Sequence, residues 1–383
     1  MRIEQFLFKN KNWLPLTANT DTSSTSDAQI VFCFGERCLL HSTNLDFIFQ
    51  RFPNAQVVSA STAGEIALNN ISQHTLVCTA VTFQKASVIT QKVNIANYSD
   101  SKSAGMALVR QFEAEQKEEL KLILILSDGQ LVNGSDLLAG INEQLTSAVP
   151  VVGGLAGDGT AFRQTTVGLG TDIATGNITA VGFYGSHLDI GYGSAGGWES
   201  FGPTRVVTKA EKNILYEIDG KSALDLYTRY LGEYANNLPG SALLFPLAVQ
   251  PSEQENPLVR TILSIDRNTK SMTFAGNIPI GAKVQLMRAG IDDLAEAAAN
   301  AAEDALQQVQ NPSPNLAILI SCVGRKIVFD QRIEEEWEEI NNVLPNTALA
   351  GFYSYGEISP HLPLYNCQLY NQTMTITTIS ESL

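Results

Sequence analysis

Three short segments of the chain end in a glycine followed by a carboxylate. They read Ser-Thr-Ala-Gly-Glu-Ile at residues 61–66, Gly-Leu-Ala-Gly-Asp at 154–158 and Tyr-Ser-Tyr-Gly-Glu-Ile at 353–358. A glycine in this place can adopt positive φ, so the chain can turn sharply and present the acid beside it. We therefore expect Glu65, Asp158 and Glu357 at strand ends, where open α/β sheets form ligand crevices. There a carboxylate can accept a hydrogen bond from a ligand's ammonium or amide group.

Each acid also has a purely local interpretation. It could accept hydrogen bonds from nearby backbone amides or cap the next element, which is the more ordinary role for any single copy. Three carboxylates could instead hold a hard cation, which prefers several oxygen ligands. Nothing in the spacing shows that the three turns meet, so we expect no metal. We do predict that at least one of the three acids contacts a ligand.

The segments around each turn predict how it is positioned. Before every turn come a strand-like run, a helix-like stretch and a second strand-like run, and another strand-like run follows. Short apolar runs that alternate with helices indicate α/β layers, and internal repetition is a primary guide to the fold. We predict a two-domain α/β fold with mixed sheets, built from repeated strand-helix-strand-turn-strand modules and flanked by helices.

Length and composition favour two domains. The chain has 383 residues, of which 44% are hydrophobic, enough for more than one core. Several glycines and a proline interrupt the pattern between residues 187 and 203. We expect an N-terminal segment and loop at residues 1–27, one domain at 28–200 and a second domain at 201–383.

Charge and cysteine content narrow the class of protein. The formal net charge is −14, which disfavours nucleic acid and anionic membrane surfaces as partners. No apolar run approaches the roughly 20 residues of a membrane-spanning helix, and the N-terminus lacks the apolar centre of a signal peptide. The chain has five cysteines, which is an odd number. Several of them lie in strand-like runs, where a buried thiol is the ordinary interpretation. We therefore expect a cytoplasmic protein.

A second constellation lies at residues 321–325, where a strong strand leads into a predicted turn. Arg325 could bind a ligand carboxylate through two parallel hydrogen bonds, or it could pair with the acidic helix at residues 334–339. Cys322 could act as a nucleophile only beside a base, and a buried, inert thiol is more ordinary. Tyr353 and Tyr355 could line a small-ligand pocket or simply fill the core.

Other candidates for catalysis or cofactor binding have weaker support. Ser61 lacks the surrounding pattern of a nucleophile elbow, so a serine triad there is unconvincing. His361 follows the third turn closely and could ligate haem iron or act as a base, although a lone histidine is usually structural or solvated.

Together these motifs resemble the FIST family (F-box and intracellular signal transduction). The resemblance covers about residues 28–380 and is carried by STAGEI at 61–66, GGLAGDG at 153–159, SCVGR at 321–325, GFYSYGEISP at 351–360 and NQTMTIT at 371–377. It implies a FIST N-terminal domain followed by a FIST C-terminal domain. It also implies a sensory module for small ligands such as amino acids, acting with a histidine kinase, a diguanylate cyclase or a chemotaxis receptor.

The resemblance further implies a haem-based alternative, because some family members bind haem and sense nitric oxide. Related chains often carry histidine immediately before the Asn-Gln-Thr triplet, where this chain has Tyr370. That departure weakens the haem interpretation, although tyrosine can also ligate haem iron.

We thus expect a non-enzymatic, cytosolic sensor that binds a small polar, amino-acid-like metabolite and signals through a separate partner. Arg325 would meet the ligand's carboxylate, and Glu65, Asp158 or Glu357 its amine. The other expected ligand-binding residues are Ser61, Cys322, Tyr353, Ser354 and Tyr355. No cofactor is required, but haem held by His361 or Tyr370 would define a nitric oxide sensor. A hydrolase or transferase that uses Cys322 or Ser61 is the further alternative.

Overall fold

The computed structural model describes residues 1–17, 27–67, 70–113, 119–145, 148–361 and 366–382. Its first part has a run of strands with one helix. The elements are β1 (Arg2–Lys9), β2 (Asn12–Pro15), β3 (Ile30–Gly35), α1 (Ser42–Arg51), β4 (Gln56–Ser61), β5 (Glu65–Ala67), β6 (Asn70–Ser72) and β7 (Leu76–Thr82). β3 is buried along its whole length, as a continuous apolar run predicts for a central strand.

The second part alternates strands and helices in the same way. Its elements are β8 (Ser87–Asn94), α2 (Ser101–Glu113), β9 (Leu120–Ser127), α3 (Gly134–Gln144), β10 (Val151–Leu155), β11 (Val167–Leu169), β12 (Asp172–Ala174) and β13 (Asn177–Tyr184). Asn133 caps α3, because its side chain accepts a hydrogen bond from the Asp136 amide. The cap satisfies one of the helix's unpaired donors.

The third part contains an inserted stretch of strands. Its elements are β14 (Leu188–Ala195), β15 (Glu199–Glu211), β16 (Ile214–Ile218), β17 (Lys221–Ser222), α4 (Ala223–Leu231), β18 (Leu247–Gln250), β19 (Leu258–Arg260), β20 (Ile262–Asp266), β21 (Ser271–Phe274) and β22 (Lys283–Arg288). We call residues 199–288 the inserted unit.

The fourth part returns to alternating helices and strands. Its elements are α5 (Ile291–Leu306), β23 (Leu316–Cys322), α6 (Val323–Phe329), α7 (Glu334–Val343), β24 (Ala348–Ser354), β25 (Gly356–His361), β26 (Asn366–Tyr370) and β27 (Met374–Glu381). The expected α/β class, with mixed sheets flanked by helices, is confirmed. Among the described residues, no helix is both long enough and apolar enough to cross a membrane.

Three of the four sheets share one strand arrangement. Each has a parallel pair next to an antiparallel strand: β4-β3-β7 in the first sheet, β10-β9-β13 in the second and β24-β23-β27 in the third. One more antiparallel strand, β1, β8 or β14, extends each set. We call these three sheets and their helices the three-sheet body.

The strand that follows each repeated turn crosses to another sheet. After the first turn β5 pairs with β24, after the third β25 pairs with β10, and in the second module β11 pairs with β4, all antiparallel. The three sheets therefore exchange strands in a closed cycle. Because each crossing begins at a turn, the exchange draws the three turns together.

The inserted unit has a sheet of its own, in the order β19-β18-β22-β15-β16-β21-β20 with β17 beside β16. Its two edge strands, β19 and β20, are separated in the chain only by Thr261, so the two edges of the sheet meet at that residue. It packs around α4 with a separate hydrophobic cluster.

The sheets divide the chain differently from the expected boundary at residue 200. The two largest apolar clusters contain side chains from both ends of the sequence, for example Ile125 with Ile376 and Phe34 with Phe352. Residues from 291 onward therefore complete the three-sheet body. Part of the expected separate N-terminal segment also belongs to this body, because β1 pairs with β7 along seven residue pairs. Residues 18–26, which fall within the expected N-terminal segment and loop at residues 1–27, lie outside the described residues.

Candidate ligand cleft at the repeated turns

The three turns touch one another through their main chains. The Gly157 amide donates to Ser61 O (2.8 Å), the Ala63 amide donates to Tyr353 O (2.8 Å) and the Tyr355 amide donates to Leu155 O (3.1 Å). Each turn thus contacts both others. This convergence could not be predicted from the sequence, because it depends on strand pairing between distant parts of the chain.

The motif glycines have two different roles. Gly64 has the expected positive φ, 146°, which L side chains rarely adopt. The same expectation is wrong for Gly157 and Gly356, whose φ angles are not positive. A Cβ on Gly157 would lie 3.1 Å from the Ala63 amide nitrogen, so close packing between turns, not backbone conformation, favours glycine there.

A cavity of about 570 Å³ opens beside the first two turns. We call it the turn cleft. It is lined by Glu36, Thr62, Ala63, Gly64, Glu65, Gln73, His74, Asp158, Gly159, Thr160, Ala161, Val323, Lys326, Ile327, Asp330 and Ile333. Of the three predicted acids, Glu65 and Asp158 line it. Glu357 is fully buried elsewhere.

Glu65 is a buried carboxylate held by two hydroxyl groups. Thr62 Oγ1 and Thr75 Oγ1 each donate to it at 2.6 Å, and the Thr75 hydroxyl also contacts Ser72 Oγ at 2.8 Å. Burial raises the pKa of Glu65 to about 7, although these hydrogen bonds and the nearby Lys326 act in the opposite direction. The group can therefore gain or lose a proton near neutral pH.

Asp158 is fixed by the third turn. The Tyr355 hydroxyl donates to Asp158 Oδ1, and the Arg163 and Gln164 amides donate to Oδ2 at 2.9 and 2.8 Å. The Tyr355 ring stacks on Phe162, with centroids 4.5 Å apart. Tyr355, predicted to lie near the ligand, thus positions an acid that lines the cleft.

Lys326 supplies positive charge to the cleft and was missed in the sequence. It is the only lysine or arginine among the described residues that line the cavity. Its Nζ donates to Ala63 O and lies 5.5 Å from the centroid of the Tyr353 ring. Burial lowers the pKa of Lys326, and the nearby Glu65 carboxylate offsets part of that change. The only available sequence signal was its position directly after Arg325.

Arg325, the residue expected to bind a ligand carboxylate, is fully buried away from the cleft. Its Nε donates to Glu336 Oε1 at 2.7 Å, and its two terminal nitrogens donate to Gly196 O (2.7 Å) and Leu294 O (2.8 Å). The expected turn after β23 is in fact helix α6. This helix places Arg325 beside α7. Arg325 is therefore paired with the acidic helix, which was the alternative to binding a ligand carboxylate.

Tyr353 is buried in the same network. Its hydroxyl donates to Glu336 Oε2 at 2.6 Å, and the Ser321 hydroxyl also donates to Glu336. Burial raises the pKa of Tyr353 well above its ordinary value. The Lys326 amine therefore lies over the face of the Tyr353 ring, while the Tyr353 hydroxyl is hydrogen-bonded to Glu336 inside the core.

Glu357 and its neighbours form an enclosed polar group. Ser354 Oγ donates to Glu357 Oε1 at 2.5 Å, and the Thr373 hydroxyl and amide donate to Oε2 at 3.0 and 3.2 Å. Burial raises the pKa of Glu357 to about 8. Glu357 and Ser354 are absent from the described lining of the turn cleft.

The two predicted nucleophiles are both buried in the core. Burial raises the pKa of the Cys322 thiol well above its ordinary value, which disfavours the reactive thiolate. Ser61 Oγ accepts a hydrogen bond from the Thr166 amide at 2.9 Å and is also fully buried. These settings suit structural residues, and they give no support to a hydrolase or transferase site.

Tyr370 lies at a second cavity, of about 590 Å³. Most of the lining side chains are polar, among them Asp304, Gln307 and Gln308, and burial raises the pKa of Tyr370 to about 12, opposing the phenolate that would bind iron. These residues do not fit haem. The backbone of His361 ends β25, but its side chain lies outside the described residues.

Comparison with known proteins identifies the family. A model of the FIST N domain matches residues 29–221, and a model of the FIST C domain matches residues 223–360. The chain belongs to the FIST family, whose domains are sensory domains of signal transduction and are associated with signalling proteins.

Individual matches add little about function. An uncharacterized protein of Methanocaldococcus jannaschii is 25% identical over 248 residues, which are 59% of this chain and 45% of that protein, so the match spans less than half of the relative's length. A crystal structure of a chorismatase aligns over 99% of this chain and 98% of its own, with 10% identity and a TM-score of 0.34.

Proposed function

We propose that the protein is a cytoplasmic sensor that binds a small polar, amino-acid-like metabolite in the turn cleft and signals through a separate partner. The observation that carries the proposal is the placement of Glu65, Asp158 and Lys326 on one cavity. A cavity with a few convergent polar groups and titratable residues with shifted pKa values is the usual form of a ligand site.

The charges of the cleft suit a molecule with both an amine and a carboxylate. Lys326 can meet the carboxylate, the role that the sequence suggested for Arg325. Asp158 and Glu65 can accept from the amine, and Thr62 offers a hydroxyl beside them. Asp158 needs little reorganisation, because Tyr355 and two amides already hold it in place, and preorganisation reduces the free-energy cost of binding.

Helix α6 offers a route from the cleft to the rest of the molecule. Lys326 lies on its cleft side. The preceding residue, Arg325, donates to the Gly196 carbonyl just after β14 and to the Leu294 carbonyl in α5. The same helix packs against the 3-10 turn Gly240–Leu244 of the inserted unit. A histidine kinase, a diguanylate cyclase or a chemotaxis receptor that binds the inserted unit would be a suitable partner.

Isothermal titration calorimetry with the twenty amino acids tests the ligand proposal. We expect at least one to bind, and we expect Lys326→Met to weaken its affinity at least tenfold, because the carboxylate loses its cation. Lys209→Met is the matched control. Lys209 Nζ also lies 5.5 Å from the centroid of a tyrosine ring, but Lys209 is exposed and belongs to the inserted unit. Equal affinities in both variants, or no binding of any amino acid to the folded protein, would contradict the proposal.

A further inference from the structure

The side chain of Lys326 is a potential nucleophile as well as a cation for a ligand carboxylate. Its Nζ is held by the Ala63 carbonyl at the wall of an open cavity. Gly64 makes this position possible, because a Cβ there would lie 2.6 Å from Nζ. The amine is thus fixed at a defined point where a small molecule can reach it.

We infer that Lys326 captures a small polar aldehyde or 2-oxo acid in the turn cleft as a covalent imine. This inference rests on the proposed use of the cleft as the sensory site and names a ligand class for it. A lysine amine attacks a carbonyl carbon only in its neutral form, and desolvation increases the neutral fraction. Lys326 has this setting, since it is half-buried and burial lowers its pKa.

Glu65 can move the protons that imine formation requires. It lies near enough to Lys326 for its charge to affect the pKa of the lysine, and its own pKa of about 7 allows it to donate and accept near neutral pH. The hydroxyls of Thr75 and Ser72 continue from Glu65 toward the half-exposed edge at β6. These two hydroxyl groups offer Glu65 a path for proton exchange with solvent.

The reaction balances without an oxidant or a reductant. Nζ forms a bond to the carbonyl carbon while the carbonyl π electrons move to oxygen, which takes a proton from Glu65. Nζ returns a proton to Glu65, which gives a neutral carbinolamine and restores the acid. Glu65 then protonates the carbinolamine oxygen, the carbon–oxygen bond breaks as the nitrogen lone pair forms the double bond to carbon, and water leaves. Nζ returns its second proton to Glu65. The two protons of the amine end on that water, and the nitrogen–carbon double bond remains.

Reductive trapping tests the inference. The full chain is incubated with glyoxylate and sodium cyanoborohydride at neutral pH, and peptide mapping by mass spectrometry locates the carboxymethyl group that reduction leaves on lysine. We expect Lys326 to be labelled at least tenfold faster than Lys209, and Lys326→Arg to remove this fast phase. Labelling of Lys326 no faster than that of Lys209 would overturn the inference.

The pH profile of trapping separates proton transfer from simple reactivity. With Glu65 as the acid, the wild-type rate should peak near neutral pH, whereas Glu65→Gln should react more slowly and lose the falling limb above pH ~7. The other titratable groups that line the cleft are Glu36, His74, Asp158 and Asp330. Glu36→Gln, His74→Gln and Asp330→Asn serve as controls, and Asp158 is left unchanged because it belongs to the proposed ligand site. An unchanged profile in Glu65→Gln would exclude Glu65 from the step.

Calorimetry on the same preparation distinguishes the two proposals. Amino-acid binding without selective trapping at Lys326 would retain the sensory proposal and reject covalent capture. Selective trapping without amino-acid binding would retain the cleft as a carbonyl site and reject the amino-acid ligand. If neither is observed in the folded protein, both proposals fail.

Discussion

The first and third turns share a local arrangement but have opposite surroundings. In each, a hydroxyl three residues before the acid donates to it, from Thr62 to Glu65 and from Ser354 to Glu357. Burial raises the pKa of both acids, to about 7 and about 8. Yet Glu65 lines a cavity with Lys326, whereas Glu357 is enclosed. The same motif can therefore stabilise the fold in one copy and remain available to a ligand in another.

The cations beside these turns show the same contrast. Arg325 and Lys326 are consecutive residues of α6, but Arg325 is bonded inside the core and Lys326 reaches the cleft. If this division is correct, variants on the enclosed side should chiefly change stability, and variants on the cleft side should chiefly change binding.

The largest expected effect is on the enclosed side. Glu336→Ala leaves the Arg325 guanidinium and the Tyr353 hydroxyl without their buried acceptor, and we expect it to lower the free energy of unfolding by about 3–5 kcal/mol. Urea denaturation measures this. The control is Glu335→Ala, whose partner Arg332 is half exposed; that loss should be much smaller, because solvent screens a surface ion pair. Similar losses in the two variants would remove the contrast between core and surface.

The second effect is a dependence of stability on pH. Glu65 and Glu357 have folded pKa values raised above the ordinary glutamate value of 4.5, so the folded state holds their protons more tightly than the unfolded state does. Their contribution is fully present below pH ~4.5 and is lost as pH rises, through about 7 for Glu65 and about 8 for Glu357. Each group should contribute a slope of about −1.4 kcal/mol per pH unit within its window.

Glutamine variants can separate the two acids. Glu65→Gln should remove the part of the decline that ends near pH 7, and Glu357→Gln should also flatten the decline between pH 7 and 8. Urea denaturation between pH 5 and 8.5 measures both slopes. If the two variants gave identical profiles, or if neither differed in slope from the wild type, the two acids would not differ as the structure indicates.

The smallest effect concerns the contact between the second and third turns. Tyr355→Phe removes the hydroxyl that donates to Asp158 and accepts from two backbone amides. We expect a loss of about 1–2 kcal/mol in unfolding free energy and faster amide hydrogen exchange at Arg163 and Gln164. Tyr216→Phe on the inserted unit is the control. Unchanged exchange at these amides would mean that Tyr355 does not hold Asp158 in place.

Local patterns in the sequence were sufficient to predict the element types. The strand-like runs expected first in each module are β3, β9 and β23, and the helix-like stretches expected after them contain α1, α3 and α7. Both follow from local burial and helix propensity. The α/β class could be predicted because it depends on this alternation.

The site was only partly predictable, because it depends on contacts between distant segments. The acidic turns could be identified, but their convergence requires three-residue strands such as β5, whose partner β24 is remote in sequence. Arg325 and Lys326 could not be told apart either. Which of them faces the cleft is set by the rotation of α6, and the sequence suggested a turn there.

The exchange of strands among the three sheets has a consequence during synthesis on the ribosome. Ala67 of β5 pairs with Ala350, so β5 emerges on the order of half a minute before its partner at ~5–20 residues per second. Strands β10 and β14 also await C-terminal neighbours, β25 and β27, and unpaired strand edges favour aggregation. The nascent N-terminal half is thus an open template that only the last part of the chain can close.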